Sequence, residues 1–576
     1  QLIKITSQMN LTKALLLVSI FTTAFSGPTK DVEFRSLETR QGVINGSREH
    51  ALNGREFYSF RGIPFAKSPT GERRFKNPEA ATNWSGVRNG SWIAPECLQP
   101  DFNGFYNTTS DEDCLYLNVF TPLNEPPVAV MVYIHGGGYI IGGMRSYQPN
   151  ALLTQNVLLV TIQYRLGFLG FLSTEDEVAP GNLGLKDQTQ ALRWVKNNIQ
   201  DYGGDPNRVT IFGESSGGRA AHLQMLTPAS RGLFSRVILQ SGTAIVPGTT
   251  QISGFREQAE EFGQRFNCSL QGAESSESFN STNLISCLQQ LPASNFIKGF
   301  ENQIKFGVRV DGDYLPASPE QLLKSGDYHK CDIIAGFTQH EGATSVMFAD
   351  LQNKPEFITD PIYAYVGDMF NMEKDDPELG DLITQAVHYY TGSRSLNISQ
   401  ERYDQTVRLL TSLISLPHDQ TIQMHARDTL YGRRVFAYEL KHKGQYIFLQ
   451  FLTTQYDDVY TDNWVHHGDD LMFLFTTDIT NRTLMRPDDI KMREIMVKLW
   501  TNFAKHGDPT PDGTLGFKWS PVSLLSQRQQ LVLKPEPYME INDRCKDFEF
   551  WQSLPRNASF IISEHKCNSN VMCLLQ

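Results

Sequence analysis

The sequence predicts an α/β protein whose core is a large, mostly parallel central sheet flanked by helices. Short apolar runs alternate with helical patterns between residues 127 and 240. The runs lack polar alternation, which indicates strands that are covered on both faces. No low-complexity linker, long charge block or internal repeat divides the chain, so we expect one domain with helical insertions over residues 27–576.

The predicted elements follow one another in a regular order within this region. The expected helix 188–199 places Ala191, Leu192, Val195 and Ile199 within reach of one face, as in a helix packed on a sheet. The Gly-Gly-Asp-Pro segment that follows is typical of a turn that ends such a unit. Loops and amphipathic helices such as 493–503 are commoner downstream. The other expected elements are strands 128–134, 157–164, 209–212 and 237–240 and helix 218–226.

The composition is that of an ordinary globular protein. The chain has 576 residues, of which 40% are hydrophobic and 20% are charged. The 63 acidic residues outnumber the 52 basic ones and give a formal net charge of -11. Such a chain offers no broad cationic surface for phosphates, so we expect no nucleic-acid partner.

The first 26 residues indicate export. Met9 precedes an apolar run from Ala14 to Phe25, which is short and broken by Ser and Thr, and small residues stand at Ala24 and Ser26. This is the pattern of a signal peptide and not of a membrane-spanning helix. We interpret residues 1–26 as upstream sequence plus a signal that begins at Met9. Residues 564–576 resemble neither a GPI signal nor an ER-retention signal, so we expect a secreted, extracellular protein without a membrane anchor.

Glycosylation sequons agree with this route. Each is an Asn two residues before Ser or Thr, without an intervening Pro, and becomes an acceptor when the chain enters the ER. In residues 27–576 they are Asn45, Asn83, Asn89, Asn107, Asn267, Asn280, Asn397, Asn481 and Asn557.

Eight cysteines suit an oxidising compartment. Two pairs bracket short stretches of chain, and we expect them to bond locally as Cys97–Cys114 and Cys268–Cys287. Closing loops of this length stabilises the fold by roughly 3 kcal/mol each in the chain-entropy model. The pairing of the remaining cysteines stays open; these are Cys331, Cys545, Cys567 and Cys573.

The strongest single motif begins at a strand end. Residues 209–212 run into Gly213-Glu-Ser215-Ser-Gly217, and a helical pattern follows. A strand, Gly-x-Ser-x-Gly and a helix form the context of a nucleophile elbow, in which the serine lies on a sharp turn with its hydroxyl exposed. The flanking glycines let strand and helix cross without Cβ clashes.

A second glycine motif suits the charge that an activated serine generates. His135-Gly-Gly-Gly138 follows the expected strand 128–134. The backbone N–H groups of Gly137, Gly138 and Ser216 are therefore candidates for an oxyanion hole. A phosphate cradle is disfavoured because no Gly-Lys-Ser/Thr follows. No Cys or His cluster has zinc spacing and no nucleotide motif is present, so we expect neither a metal nor a cofactor.

Together these motifs resemble the type-B carboxylesterases, the carboxylesterase and cholinesterase family of α/β-hydrolases. The resemblance covers nearly all of the chain after residue 26. It implies the α/β-hydrolase fold and hydrolysis of a small-molecule carboxylic ester through an acyl-serine intermediate. The matching blocks are residues 60–66, 74–75, 112–118, 135–139, 181–188, 198–199, 203–206, 213–217, 336–342 and 467–469.

The resemblance assigns the acid and the base, which local chemistry leaves open among many carboxylates and 13 histidines. In the order serine, acid, histidine, the matching positions are Ser215, Glu341 and His467. In these roles His467 takes the Ser215 proton, and Glu341 holds the imidazole tautomer and stabilises its charged form.

Three other histidines compete as bases. His222 follows Ser215 by seven residues on the expected helix, and its backbone leads away from the hydroxyl. His466 neighbours the favoured base, but the matched His-Gly-Asp begins at His467. His135 suits a hydrogen-bonded structural role better than a catalytic one.

The resemblance also covers structural features, and the chain departs from the family pattern at two other positions. Both local cysteine pairs match the family's two commonest bridges, and Arg74 and Glu112 match its buried ion pair. Ser216 stands where the family usually has Ala, and Gln163 stands where Asn is usual.

Other departures concern the substrate. The first cysteine loop contains Phe105 and Tyr106 but no Trp, and Thr344 and Ser345 stand where a cholinesterase has gorge aromatics. These rings attract a quaternary ammonium group through cation–π contacts. We therefore expect uncharged small or medium esters as substrates.

Several alternatives stay open at this point. Glu214 disfavours a juvenile hormone esterase, because that enzyme type usually has Gln there, but it does not exclude one. A cholinesterase-like specificity is a further alternative. A catalytically silent adhesion protein of the same fold is the hypothesis from another class. Retention of serine, acid, base and oxyanion glycines together favours the enzyme.

Overall fold

The structure is a computed structural model. Several sequence predictions fall outside the residues that it describes, namely residues 1–26, Phe105, Tyr106, Asn107, Asn397, Asn481, Asn557, Cys567 and Cys573. The described residues are 34–100, 109–123, 126–251, 253–268, 279–299, 306–395, 400–453, 456, 464–477, 479–480, 482–524 and 528–555.

A central sheet of 13 strands organises the described part of the chain, and two short strand pairs lie apart from it. In chain order the strands are β1 Phe34–Thr39, β2 Gly42–His50, β3 Glu56–Pro64, β4 Val87–Asn89, β5 Glu96–Cys97, β6 Ser110–Asp111, β7 Tyr116–Thr121, β8 Val128–Ile134, β9 Leu158–Ile162, β10 Gly204–Glu214, β11 Arg236–Gln240, β12 Thr250–Gln251, β13 Val308–Arg309, β14 Asp332–Thr338, β15 Val435–Leu440, β16 Gln529–Leu533 and β17 Tyr538–Ile541.

The spatial order of the large sheet is β1-β2-β3-β7-β9-β8-β10-β11-β14-β15-β16-β17, with β4 beside β2. From β9 to β16 neighbouring strands are parallel. Antiparallel pairs occupy both ends of the sheet. The predicted α/β class with a large, mostly parallel sheet is thus confirmed, and it is the α/β-hydrolase architecture.

Helices cover both faces of the sheet and form an added helical region. The longest, α10, joins α7 to α9 in one apolar cluster. In chain order the helices are α1 Gly167–Phe171, α2 Leu183–Asn198, α3 Ser216–Leu226, α4 Phe255–Arg265, α5 Ser281–Gln290, α6 Pro319–Ser325, α7 Ala343–Gln352, α8 Glu356–Phe370, α9 Pro377–Thr391, α10 Tyr403–Ala426, α11 Phe448–Leu452, α12 Leu471–Leu474, α13 Pro487–His506 and α14 Cys545–Ser553.

Strand β8 shows why the central runs lack polar alternation. All seven of its residues are buried. Val130 and Val132 pack in the apolar cluster on one face of the sheet, whereas Met131 and Tyr133 pack in the cluster on the other. A strand between two cores has no solvent face, so every position is apolar. The observed bounds of β8 equal the predicted ones, while β10 and α2 begin several residues before the predicted start.

Both expected local disulfides are present, as Cys97–Cys114 and Cys268–Cys287. Cys331 is a free, buried thiol. Gln163, for which the sequence suggests no role, donates through Nε2 to the carbonyls of Pro95 (2.6 Å) and Cys114 (3.2 Å). It therefore ties the first disulfide loop to the end of β9.

The buried ion pair links the two disulfide regions. The Arg74 guanidinium donates to both carboxylate oxygens of Glu112 at 2.6 Å. Its Nη1 also donates to the carbonyls of Leu288 and Leu291, each at 2.7 Å, at the end of α5. Glu112 lies within the first disulfide loop, and Leu288 follows the second. One side chain thus connects both.

Within the described residues, no helix combines the length and the apolar character that a membrane crossing requires.

Candidate active site

Ser215 lies on a sharp turn between β10 and α3. Its φ and ψ are 57° and −125°, a conformation that non-glycine residues rarely adopt. The turn is held because Ser215 N donates to Gln240 O (2.9 Å) and Ser215 O accepts from Arg219 N (3.0 Å). A Cβ at Gly217 would lie 2.1 Å from Ile134 O, so only glycine permits this close packing of α3 on β8. The turn has the geometry that the elbow motif predicts.

The structure brings His467 and Glu341 together beside this turn. Glu341 follows β14, His467 precedes α12, and His467 Nδ1 is hydrogen-bonded to Glu341 Oε2. Glu341 Oε1 accepts from Ser241 Oγ (2.6 Å) and Thr338 N (2.7 Å). Burial alone raises the pKa of Glu341, but His467 and these hydrogen bonds bring it below its ordinary value. Glu341 is therefore an ionised, fixed carboxylate.

Glu214 is a second carboxyl at the same imidazole. Its Oε1 lies 3.1 Å from His467 Nε2, the nitrogen that faces away from Glu341. Burial lowers the pKa of His467, but Glu214 and Glu341 outweigh burial and raise it. For Glu214 burial acts in the other direction and raises the pKa, while His467 lowers it by a smaller amount. Within the described residues no hydrogen bond joins His467 to Ser215, so Nε2 faces Glu214 in this arrangement. Sequence reasoning used Glu214 only as a specificity marker, although its position next to the nucleophile signals this proximity.

The glycine turn after β8 packs against the elbow. A Cβ at Gly136 would lie 3.1 Å from Ser215 Cβ, and one at Gly137 would lie 2.0 Å from Ile141 O. Gly138, at φ 65°, faces open space. The N–H groups of Gly137 and Gly138 donate to no acceptor among the described residues. They remain available to an oxyanion formed at Ser215.

A cavity of about 470 Å³ opens over these groups, with Ser215, His467, Glu214 and the glycine turn in its wall. This volume suits a small or medium-sized ligand. Most of the wall is apolar, and the charged groups of Glu96 and Arg145 also line it. The larger apolar side chains are Ile141, Tyr147, Phe448, Leu449, Leu452 and Ile479. Sequence reasoning missed Tyr147 and Phe448, because no local pattern places them near Ser215.

Two of the competing histidines have other surroundings. Neither ring nitrogen of His466 has a hydrogen-bond partner among the described residues, and burial lowers its pKa to about 3. His135 stacks on Tyr164 with ring centroids 4.4 Å apart, and its Nδ1 lies 2.9 Å from Gly136 O. Burial lowers the pKa of His135 to about 4. Both rings are neutral groups of the interior.

His222 belongs to a separate buried network. Its Nδ1 accepts from Ala244 N (3.0 Å), and its Nε2 lies 3.0 Å from His425 Nε2. His425 Nδ1 in turn lies 3.0 Å from Asp428 Oδ2. Both nitrogens of His222 are thus occupied, and neither reaches Ser215.

The acidic residues after His467 serve the fold. Asp469 accepts from Phe448 N and His466 N, each at 2.8 Å. Asp470 accepts from Gln240 Nε2 at 2.7 Å. Burial raises the pKa of Asp469 to about 7 and that of Asp470 to about 6. In the described part of the chain, no three His, Cys, Asp or Glu side chains are grouped as a metal ion needs.

Comparison with known proteins gives one consistent result. A family model described as the carboxylesterase family matches residues 33–551. A juvenile hormone esterase of Tribolium castaneum is 33% identical over 515 residues, which span 83% of this chain and 84% of that protein. A pyrethroid hydrolase, Ces2a, of Mus musculus is 32% identical over 540 residues, or 90% and 91% of the two chains. Esterase FE4 of Myzus persicae is 32% identical over 534 residues, or 88% and 89%. This chain therefore belongs to the carboxylesterase family and is a carboxylic-ester hydrolase.

Proposed function

We propose that this enzyme cleaves its ester through an acyl-Ser215 intermediate, with His467 as general base and acid. The observation that carries the proposal is the hydrogen-bonded pair of His467 and Glu341 in the wall of the same cavity as Ser215. A base that is held by a buried carboxylate next to a serine on a strained turn has the parts that nucleophilic catalysis needs.

In the first half-reaction Ser215 Oγ attacks the ester carbonyl while its proton passes to His467 Nε2. For this step Nε2 exchanges its contact with Glu214 for one with Ser215, the next residue in the chain. The oxyanion accepts hydrogen bonds from the N–H groups of Gly137, Gly138 and Ser216. The intermediate collapses as His467 protonates the departing alkoxide. Water then repeats the sequence, with His467 as base, and releases the acid and free Ser215.

The test of the mechanism is Ser215→Ala. We expect a folded protein whose kcat falls by about 10³ to 10⁶ and that no longer takes up a stoichiometric organophosphate label. Ser146→Ala is the matched control, because Ser146 lines the same cavity and, in the described part of the chain, has no hydrogen bond to His467. It should label fully. Full labelling of Ser215→Ala would overturn the assignment.

We infer that the preferred substrates are uncharged esters of small or medium size. Thr344 lines the cavity, and its hydroxyl has no partner among the described residues. A hydroxyl at this position cannot make the cation–π contact that an aromatic ring would make. Among the described residues, the Phe and Tyr rings in the cavity wall are Tyr147 and Phe448, which stack on each other with centroids 6.4 Å apart. Rings that face each other present less of their faces to a ligand.

A pair of esters of equal size tests this inference. We expect naphthyl acetate to be cleaved with kcat/KM well above that for acetylcholine. The sharper comparison is acetylcholine against its neutral isostere, in which carbon replaces nitrogen. We expect the neutral ester to be cleaved at least as well. A preference of about tenfold for the charged ester, the size of one or two cation–π contacts, would indicate a cholinesterase-like site instead.

A juvenile hormone esterase-like specificity is the second candidate, because a protein of that name shares 33% identity over most of both chains. Adding juvenile hormone to the ester panel tests it. A kcat/KM for this substrate far above the values for simple aryl and alkyl esters would favour the second candidate.

We also propose that the protein is secreted and glycosylated. The disulfides Cys97–Cys114 and Cys268–Cys287 support an oxidising compartment. Asn83, Asn267 and Asn280 are exposed, and so is Asn89 at the end of β4. Asn45 is half-buried within β2, which pairs with both β1 and β4. When the protein is expressed with residues 1–26 in place, we expect it in the culture medium, and its mass should fall on enzymatic deglycosylation. Retention of unmodified protein in the cytosol would contradict the proposal.

A further inference from the structure

Ser216 adds a hydroxyl beside the nucleophile, and the hydroxyl has a partner in the oxyanion turn. Ser216 is the first residue of α3 and is buried. Its Oγ accepts a hydrogen bond from Tyr139 N at 3.3 Å. Tyr139 follows Gly138 directly, 77 residues before Ser216 in the chain. The hydroxyl therefore joins the elbow to the far end of the glycine turn.

The backbone of this turn needs such a support. Gly137, Gly138 and Tyr139 all have positive φ, at 105°, 65° and 63°. For a tyrosine this conformation is strained, and it persists only where surrounding contacts impose it. Two hydrogen bonds hold Tyr139, because its N donates to Ser216 Oγ and its O accepts from Gly167 N (2.7 Å). Of the two, the bond to Ser216 connects the turn to the elbow.

The start of the turn is held separately, by Tyr164. The Tyr164 phenol donates to His135 O at 2.8 Å, one residue before Gly136. Burial raises the pKa of Tyr164 well above its ordinary value, so the phenol stays protonated and able to donate. Tyr164 thus holds the first residue of the turn, and Ser216 Oγ holds its last residue, Tyr139.

We propose that the Ser216 hydroxyl is a positioning group that sets the spacing between the two halves of the oxyanion hole. One half is the Ser216 N–H, and the other consists of the Gly137 and Gly138 N–H groups. The inference rests on the proposed acyl-Ser215 mechanism and adds to it a side chain that acts through the turn. The oxyanion forms only on the way to the tetrahedral state, so misplaced donors lower kcat and leave substrate binding unchanged.

The test is Ser216→Ala, which keeps the backbone donor and removes only the hydroxyl. Activity is expressed per active site titrated with organophosphate, so that unfolded protein does not count. We expect kcat to fall by about threefold to tenfold, the effect of one net hydrogen bond, with KM unchanged. The affinity of a trifluoromethyl ketone, which forms an oxyanion on Ser215, should fall by a similar factor. Ser216→Thr retains a hydroxyl and should recover most of the loss.

Ser412→Ala is the matched control, because the buried Ser412 donates to Leu409 O (2.7 Å) in α10, outside the site. It should change neither kcat nor ketone affinity. A kcat and a ketone affinity of Ser216→Ala within twofold of the original values would overturn the inference, provided that Ser215 still takes the label. Loss of labelling at Ser215 in the unmodified enzyme would instead refute the proposed mechanism itself.

Discussion

Two histidine residues in this molecule each place Nδ1 against a carboxylate oxygen, but the surroundings of the two pairs differ. His467 Nδ1 pairs with Glu341, and the His467 side chain is 27% exposed in the cavity wall. His425 Nδ1 pairs with Asp428, and the His425 side chain is 0% exposed. His467 Nε2 faces the carboxyl of Glu214, which precedes Ser215. His425 Nε2 faces the imidazole of His222.

The charge states of the two sites differ accordingly. Two carboxylates raise the pKa of His467, so a proton on its ring is stabilised. Burial, together with the neighbouring histidines, lowers the pKa of His222 far below its ordinary value, so its ring stays neutral. Because Ala244 N donates to His222 Nδ1, we assign the His222 proton to Nε2, from which it is donated to His425. Of the two pairs, the one at His467 lies in the wall of the cavity that Ser215 also lines, which is what the proposed base requires.

The largest expected effect separates His467 from its neighbour. We expect His467→Ala to lower kcat by about 10³ to 10⁶, as Ser215→Ala does, because both residues act as one unit. His466→Ala should stay within about threefold of the original kcat, because the buried His466 ring has no hydrogen bond to the site among the described residues and its loss should lower stability, not turnover. Steady-state kinetics on a short aryl ester measures both. The reverse order would make His466 the base.

Glu341→Gln should follow, with a loss of about 10² to 10⁴ in kcat. The amide still accepts or donates one hydrogen bond and so orients the ring, but it gives up the charge that stabilises the imidazolium. The same assay measures it. A variant as active as the original enzyme would show that this pair resembles the structural pair at His425.

Glu214→Gln tests the second carboxyl through pH. A carboxylate at Nε2 favours the protonated imidazole and raises the pKa of His467. In the proposed mechanism the neutral ring is the base, so kcat/KM should rise as pH increases through this pKa. Removing the carboxylate lowers the pKa, and the acid limb should move to lower pH by about one unit. Glu96→Gln, in the cavity wall, should leave the limb in place. An unmoved limb in Glu214→Gln would show that the two groups do not interact in solution.

The smallest expected effect on activity is that of His425→Leu. Without the imidazole, His222 and Asp428 lose a buried partner, so the free energy of unfolding should fall by about 1–3 kcal/mol. The kcat per titrated active site should stay within about threefold of the original, because neither residue reaches Ser215. Denaturant unfolding and active-site titration measure the two quantities. A loss of kcat as large as that of His467→Ala would break the distinction between the pairs.

Local patterns sufficed for the sheet and for the nucleophile. A strand that is covered on both faces can be predicted from a short apolar run, and the seven-residue strand β8 has the predicted bounds. The elbow at Ser215 is likewise a local sequence of strand, glycine and helix. Glu341 and His467 came from the family resemblance, since no local rule selects one carboxylate and one histidine among many. Their catalytic roles stay predictions until the variants are measured.

Contacts between distant segments were beyond local reasoning. His222 meets His425 from 203 residues away, and Tyr139 meets Ser216 from 77 residues away. Phe448 reaches the cavity wall from a helix that precedes His467. Such contacts depend on how loops return to the sheet, which propensity and periodicity do not encode.

The position of Arg74 has a consequence for how the protein matures in a cell. Its guanidinium forms an ion pair with Glu112 and donates hydrogen bonds to the end of α5, so one side chain, the anchor of both disulfide regions, holds them together. Losing that residue would leave a lone negative charge in the interior, at a cost of about 3–5 kcal/mol. Sulfur bridges form while the chain is still folding, and segments without this anchor would meet wrong partners more often. Given the secretion proposed above, ER quality control should retain an Arg74→Leu chain. The defect would then be measured as a low yield in the medium, while the molecules that are secreted keep their kcat.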